Sequence, residues 1–357
     1  MAAIKVKIGT LNCHGLRNDK EKRKLIFDLA TQIKLDILIL QETNLRDQDE
    51  ENVKREWAKG PCIFSAHYEE ANCAGVAILA SNKNTKFTNV LYDPEGKKMA
   101  LDVSTTGGNF HLVNVHFPVN PNYTEMSETI TELHTLMQST LPIVLAGDFN
   151  FVENPERDRH PPGVSRTHRN QGWTLLKETY ELRDTAEIRG DFRFTREQDN
   201  TFSRIDRIYV TPGVIINRTN VQFTGVSDHW IFSAEVVFDP RKKRGKGRFK
   251  INAKVHETDD FSAAIEELVQ NEQTKPLYRS DPAKWWKGLK SKVARTYRNQ
   301  AIIRSQTLQR EQKRLELDID LAKINIFSNP HCSRAKANYQ NAKNKLKELL
   351  IKKRKKT

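Results

Sequence analysis

A chain of 357 residues with 37% apolar content can bury one large core and still hold a second, smaller domain. Its net charge of +14 is unevenly divided: residues 1–240 carry 28 Lys+Arg against 33 Asp+Glu, net −5, while residues 241–357 carry 31 against 12, net +19. Scattered Cys13, Cys62, Cys73 and Cys332 speak against a zinc cluster or disulfide framework, no apolar run nears the roughly 20 residues of a membrane helix, and Met1-Ala-Ala-Ile-Lys5 lacks a secretory layout, so a soluble intracellular protein is expected.

The front of the chain repeats one pattern, a short β-branched or Leu-rich run that ends at a side chain with chemistry. Ile4 to Leu11 predicts the first strand, and Leu25, Leu29 and Ile33 at four-residue spacing predict an amphipathic helix over Asp19 to Lys34. Strands follow at Asp36 to Leu40, Gly75 to Ala80, Lys98 to Ser104 and Asn109 to Val115, then a helix at Ser127 to Ser139. Pro142 to Ala146, Ile205 to Val210 and Trp230 to Phe238 complete the strands. Strands alternating with helices, together with direct strand-to-strand hairpins, predict a mixed-sheet α/β domain over residues 1–238.

Past Asp239 the texture changes. Arg241, Lys242, Lys243 and Arg244 open a basic linker, residues 239–258, which no strand-like alternation follows. Residues 259–357 read as helical, with helices over Asp259 to Gln270 and Ala283 to Gln300 and then two apolar stripes. The stripes are Leu315, Ile319, Ala322 and Ile326, and Ala335, Tyr339, Ala342, Leu346 and Leu349. Ser328-Asn-Pro-His331 between them is a turn signal, since proline breaks a helix, so they predict an antiparallel helical hairpin running into Lys352-Lys-Arg-Lys-Lys356. Charge runs are commonly just solvated helix faces. Placed behind a mildly acidic domain, this one suits a segment that attracts nucleic acid.

Acidic, amide and imidazole side chains stand at or just beyond the strand ends. They are Asn12, Glu42, Asn114 and His116 in Val113-Asn-Val-His-Phe-Pro118, Asp148 and Asn150 in Ala146-Gly-Asp-Phe-Asn150, Asp206 in Ser203-Arg-Ile-Asp206, and Asp228 with His229 in Gly225-Val-Ser-Asp-His229. Each alone is weak, because Gly-Asp followed by Asn is common in turns and a His after Asp is more often a solvated loop residue. Together and in this order, residues 4–238 resemble the endonuclease/exonuclease/phosphatase superfamily, which includes exonuclease III-like AP endonucleases, DNase I, neutral sphingomyelinases and inositol polyphosphate phosphatases. Gly75-Val-Ala-Ile-Leu79 and Thr201-Phe-Ser-Arg-Ile-Asp-Arg-Ile208 look most like the AP-endonuclease-like domains that open the reverse-transcriptase protein of LINE retrotransposons. The resemblance implies a DNase I-like, four-layer α/β sandwich, followed here by an all-helical basic extension.

Hydrolysis of a phosphodiester needs a cation on the nonbridging oxygen, a base to ready a water, and help for the departing oxyanion. The resemblance implies that Glu42, with Asn12 and Asp228, supplies hard oxygen ligands to Mg²⁺, with Mn²⁺ as the alternative. By the same resemblance Asp148 orients or deprotonates the attacking water, Asn150 holds the scissile phosphate, and His229 contacts that phosphate with its ring fixed by Asp206. His116 stands where exonuclease III-like enzymes carry Tyr, and His there resembles the DNase I and sphingomyelinase branches, in which it protonates the leaving oxygen. The competing reading of His116 is a packed strand-end residue. Asn114, Asn120, Ser203, Arg204 and the Arg241 to Arg244 cluster are the expected DNA contacts. Ser203 and Arg204 replace the aromatic residue that closes the pocket of dedicated abasic-site enzymes, which favours nicking of intact DNA.

Residues 241–357 resemble the connector between endonuclease and reverse transcriptase in LINE proteins, including Gly245-Lys-Gly-Arg-Phe-Lys-Ile-Asn252 and Trp285-Trp286. The expected partners are therefore duplex DNA, element RNA and a reverse-transcriptase domain beyond this fragment, with action in the nucleus and no membrane. Two other classes compete. A phosphoesterase on inositol phosphates or phospholipids would use the basic tail on an anionic membrane, but should carry exposed apolar insertion loops, and none is evident in residues 1–240. A catalytically silent nucleic-acid-binding module would have no need of Glu42, Asp148, Asn150, Asp206, Asp228 and His229 together.

Overall fold

Most strands of the first unit are runs of β-branched and Leu residues with few exposed positions, the signature of strands covered on both faces. The computed structural model describes residues 3–65, 74–93, 95–162, 171–199, 201–238, 259–328 and 333–355. Contacts divide the chain into two units, Met1–Gly245 and Lys246–Thr357. In chain order the first holds β1 (Val6–Asn12), α1 (Lys20–Gln32), β2 (Ile37–Gln41), α2 (Asp47–Trp57), β3 (Cys62–Ser65), β4 (Val76–Ala80), β5 (Lys86–Tyr92), β6 (Lys98–Thr105), β7 (Gly108–His116), α3 (Tyr123–Leu136) and β8 (Ile143–Asp148). It continues with β9 (Arg159–His160), α4 (Gln171–Thr179), β10 (Arg183–Asp184), α5 (Thr185–Arg189), β11 (Arg196–Gln198), β12 (Thr201–Ser203), β13 (Asp206–Val210), β14 (Ile215–Gln222) and β15 (Ile231–Val237).

Two six-stranded sheets form, in the orders β14-β15-β1-β2-β4-β3 and β10-β13-β8-β7-β6-β5. Each is antiparallel except for one parallel pair, β1 with β2 and β7 with β8. Their inner faces share one core, in which Ile8, Ile39 and Ile78 of the first sheet join Leu101, Leu112, Ala146 and Ile208 of the second. On the outer face of the second sheet, Ile130 and Leu133 of α3 and Trp173 of α4 pack on Val113, Val115 and Leu145. Beside the first sheet, Phe27 of α1 meets Trp57 of α2 edge-on at 5.2 Å, and the Trp57 indole donates to the Ala80 carbonyl of β4 at 2.7 Å. The layers are thus helix, sheet, sheet, helix, as a DNase I-like fold requires.

Gly147 adopts a left-handed φ of 150°, and a β-carbon there would overlap the carbonyl oxygen of Val115. Glycine therefore lets β8 lie close against β7, which sets Asp148 opposite His116 in register. Helix α3 begins at Tyr123, earlier than expected, because Asn122 caps the Glu125 amide while the Glu125 carboxylate returns the bond to the Asn122 amide. The strands that periodicity did not signal are edges or neighbours of edges: β3 and β5 bound the two sheets, and β5 is mostly exposed.

The second unit comprises α6 (Asp259–Gln273), α7 (Leu277–Ser280), α8 (Pro282–Ser328) and α9 (Ser333–Lys355). The helix expected over Ala283 to Gln300 proves to be the first part of α8, which runs unbroken for 47 residues because no glycine or proline interrupts it after Gly288. Leu315, Ile319, Ala322 and Ile326 of α8 are buried, as are Tyr339, Ala342, Leu346 and Leu349 of α9, and the two helices pack together. The Asn-Pro-His turn lies outside the described residues, as do the linker 239–258 and its Arg241, Lys242, Lys243 and Arg244. Among the described residues no helix is long and apolar enough to cross a membrane.

Candidate active site

Strand register assembles the site before any side chain is considered. In the second sheet Asp206 of β13 lies opposite Asp148 of β8, and Asp148 lies opposite His116 of β7, so three adjacent strands present three titratable groups in one row. In the first sheet Asn12 ends β1 opposite Gln41 of β2, and Glu42 follows at once. Beneath this row a buried amide clamp joins the sheets. Asn114 Nδ2 donates to the carbonyls of Leu40 at 2.9 Å and Ala77 at 3.1 Å, and Gln41 Nε2 donates to Asn114 Oδ1 at 2.7 Å. Asn114 has no exposed surface. It is therefore a structural tie, which corrects its assignment as a DNA contact.

Asn12 is the link between the sheets at the site. Its Nδ2 donates to Glu42 Oε1 at 2.8 Å and to Asp148 Oδ2 at 2.9 Å, while its Oδ1 accepts from the His14 amide at 3.0 Å. Burial alone would raise the Glu42 pKa, but the bonds from His116 and Asn12 and the nearby imidazoles outweigh it and hold the carboxyl at about 2, ionised. Glu42 and Asn150 both have left-handed backbones, φ 50° and 51°. Such strain in non-glycine residues collects where function over-determines the chain. Asn150 is fixed by its amide donating to Asp148 Oδ1 at 2.9 Å and by Nδ2 donating to the Phe117 carbonyl at 2.8 Å, with His116 Nε2 3.2 Å away.

His229 closes the site from the other side. Its Nδ1 lies 2.9 Å from Asp206 Oδ2, and its Nε2 lies 3.8 Å from Asp148 Oδ2. Desolvation opposes charge on this buried ring, yet the Asp206 and Asp148 carboxylates prevail and raise its pKa to about 9, so the imidazolium persists at neutral pH. Burial pushes the Asp206 carboxyl upward as well, and the pair as a whole grips its shared proton. The loop that carries His229 is pinned by Ser227, whose hydroxyl donates to the Asn12 carbonyl at 2.9 Å.

The donor set fits a hard divalent cation. Ligand atoms of Glu42, His116 and Asp148 fall within 4.8 Å of one another, and Glu42 keeps 22% of its side-chain surface open. A second group, Asp148, Asp206 and His229, is wholly buried, and its His229–Asp206 bond is already made. Asp228, expected as a ligand, stands in neither group, and its Oδ2 accepts from Arg196 Nε at 3.0 Å. Asn12 faces Glu42 through its amide nitrogen rather than its oxygen.

The remaining expected DNA contacts are dispersed. Arg204 is 1% exposed and bonds Asp158 Oδ1 at 3.0 Å and Asp184 Oδ2 at 2.6 Å, in a buried network completed by Arg207. It is a core ion pair, and its assignment to DNA is corrected. Ser203 is half-buried at the end of β12, and Asn120 is exposed with a left-handed φ of 48° on the loop after β7. Val119 on that loop and Tyr123 at the start of α3 are exposed, at 66% and 78%, so the domain does carry exposed apolar side chains beyond β7. No strand-end motif singles out Arg196, nor His14, whose Nδ1 lies 3.6 Å from Glu42 Oε2.

The sequence profile of the Endonuclease/Exonuclease/phosphatase family matches residues 9–229. The fold is similar to that of an AP endonuclease from Archaeoglobus fulgidus, with a TM-score of 0.53 and 17% identity over 64% of this chain and 98% of that one. It is similar also to the AP endonuclease LMAP from Leishmania major, with a TM-score of 0.52 and 16% identity over 65% of this chain and 88% of that one. With a match over more than half its length and the family's fold around a row of strand-end carboxylates, the chain belongs to the endonuclease/exonuclease/phosphatase family.

Proposed function

We propose that this chain is an endonuclease that nicks duplex DNA by phosphodiester hydrolysis with Mg²⁺, or Mn²⁺ in its place, and that the nick supplies a 3′-OH primer for target-primed reverse transcription by a LINE-type protein in the nucleus. The family is divalent-metal dependent. The observation that carries the reading is the Asn12 amide holding Glu42 and Asp148 together across the two sheets, with the cationic His229 3.8 Å from Asp148. A divalent cation held at Glu42, with Asp148 at hand, would draw charge from the scissile phosphate.

The protein's own groups account for the rest. The gap between Asp148 Oδ2 and His229 Nε2 is too long for a hydrogen bond, and a water at its apex would donate to the carboxylate, which readies it for attack. The His229 imidazolium faces the charge that grows on the phosphate, Asp206 fixes its ring in place and sustains its charge, and the Asn150 amide holds the phosphate oxygens. His116 hands a proton to the departing sugar oxygen.

DNA is favoured as substrate by the charge of residues 241–357, net +19, which attracts phosphate backbones without regard to sequence. The resemblance of that segment to a LINE connector supports element RNA and a reverse transcriptase as partners. Duplex DNA, an inositol polyphosphate and phosphatidylinositol vesicles, each offered with Mg²⁺, separate the readings. Strand cleavage with no phosphate or headgroup release is expected. Turnover of the inositol or lipid substrate in place of DNA would overturn the proposal.

A further inference from the structure

Backbone hydrogen bonds tie the segment that carries Arg196 to the edge of the site. Arg196 makes an antiparallel bridge with His229, the Glu197 amide donates to the Asp228 carbonyl at 2.9 Å, and the Trp230 amide donates to the Thr195 carbonyl at 2.7 Å. The start of β11 is thereby zipped onto the Asp228-His229 loop. Thr195 adds a second anchor, since its hydroxyl accepts from the Ile205 and Asp206 amides at 3.2 and 3.0 Å. The guanidinium is held by one bond, Nε to Asp228 Oδ2 at 3.0 Å, and keeps 28% of its side-chain surface open. Its Nη1 and Nη2 have no partner among the described residues.

The contrast with other arginines in this domain is informative. Arg204 and Arg207 are enclosed and spend their Nη groups on Asp158 and Asp184, and Arg23 spends its Nη groups on Glu56 and on the carbonyls of Leu16 and Arg17. An arginine oriented through Nε, with both Nη groups free and partly exposed next to a phosphodiesterase site, has the geometry of an oxyanion fork. The planar guanidinium matches two phosphate oxygens, and the carboxylate on Nε fixes the plane in advance so that little side-chain entropy remains to be lost.

We propose that Arg196 is a substrate-binding residue, whose Nη1 and Nη2 take a phosphate of the DNA backbone next to the scissile bond while Nε stays on Asp228. This rests on the endonuclease reading above. Asp228 is then a positioning residue for Arg196. Its Oδ2 accepts from the guanidinium Nε and so fixes the plane in which Nη1 and Nη2 are presented.

The test pairs protein and substrate changes. Duplex oligonucleotides carrying a single neutral methylphosphonate at successive positions around the nick are bound in EDTA, with fluorescence anisotropy as readout, by the full chain and by Arg196→Gln and Arg196→Lys. At one position neutralisation should weaken the unmodified protein about tenfold and Arg196→Gln not at all, since the partner is already gone. Arg196→Gln should also lower the slope of log K against log salt by about 0.9, one phosphate contact, while Arg196→Lys keeps the slope and still raises KM for nicking because it lacks the fork. Thermal denaturation checks that each variant folds. If the losses from methylphosphonate and from Arg196→Gln add at every position, Arg196 merely pins the loop and the inference is overturned. If the unmodified chain neither binds nor nicks duplex DNA, it is the endonuclease reading that fails.

Discussion

Replacing Asp206 by Asn keeps the shape of the group beneath His229 and removes its charge. In the native site the His229 pKa is raised from 6.5 to about 9, with Asp206 the foremost source of the rise and Asp148 the next. That offset amounts to about 3 kcal/mol of preference for the charged ring, and removing Asp206 should cancel on the order of 2 kcal/mol, or roughly thirtyfold in the protonation ratio. His229 would then titrate about 1.5 units lower. At pH 8 the charged fraction falls from about nine-tenths to about one-quarter, and at pH 9 the loss exceeds about tenfold. The sign follows from which form works: the imidazolium is the active state, so the defect must grow as pH rises and fade below pH 7. The assay is the pH profile of kcat/KM for nicking a duplex oligonucleotide, with the His229 titration followed by NMR. A loss of the same size at every pH would refute the reasoning, because Asp206 would then hold the ring in place without setting its charge.

His116→Ala should cost roughly 10²- to 10⁴-fold in kcat, and a substrate with a sulfur leaving atom should recover much of that loss; equal damage to both substrates would remove His116 as the acid. Arg204→Ala leaves Asp158 and Asp184 short of a buried partner and should cost about 3–5 kcal/mol, a fall in Tm of roughly 6–20 °C, with the salt dependence of DNA binding unchanged. A stable variant with a shallower salt slope would return Arg204 to the DNA. Burial raises the Glu153 pKa, but the Arg207 charge and the Lys177 and Trp173 bonds override it and hold the carboxyl at about 2. Its folded pKa lies below its unfolded one, so its share of stability, about 3 kcal/mol, is complete above pH 4.5 and lost as pH falls toward 2. In urea titrations Glu153→Gln should show a correspondingly gentler acid loss, and identical acid slopes would refute the linkage.

The sequence foretold the strands that bury both faces, since apolar runs such as Ile37–Gln41 and Val76–Ala80 leave no other place for themselves. It was silent on β5, whose exposed edge needs no apolar alternation, and it split α8 because charged residues between apolar stripes look like an ending. The site was largely legible because its members stand at strand ends, and register alone then aligns Asp206, Asp148 and His116. Asn114 was misread for a physical reason. Nearly all of β7 is enclosed, so the polar residue between Val113 and Val115 is buried with them and must find its partners inside. Arg204 failed likewise, since burial of an arginine is visible only once Asp158 and Asp184 arrive beside it. Arg196 could not be found from sequence, because its pairing with Asp228 depends on how β11 meets the Asp228-His229 loop.

Incubation of the chain with supercoiled plasmid and Mg²⁺, beside a Glu42→Ala control, decides whether the site is a metal-dependent nickase. Open circles are expected whose nicks carry 3′-OH ends that a polymerase can extend, with no product in EDTA and none from Glu42→Ala even though that variant still binds the duplex. Nicking that persists in EDTA or in Glu42→Ala, or a plasmid that stays supercoiled with the unmodified chain, would contradict that assignment.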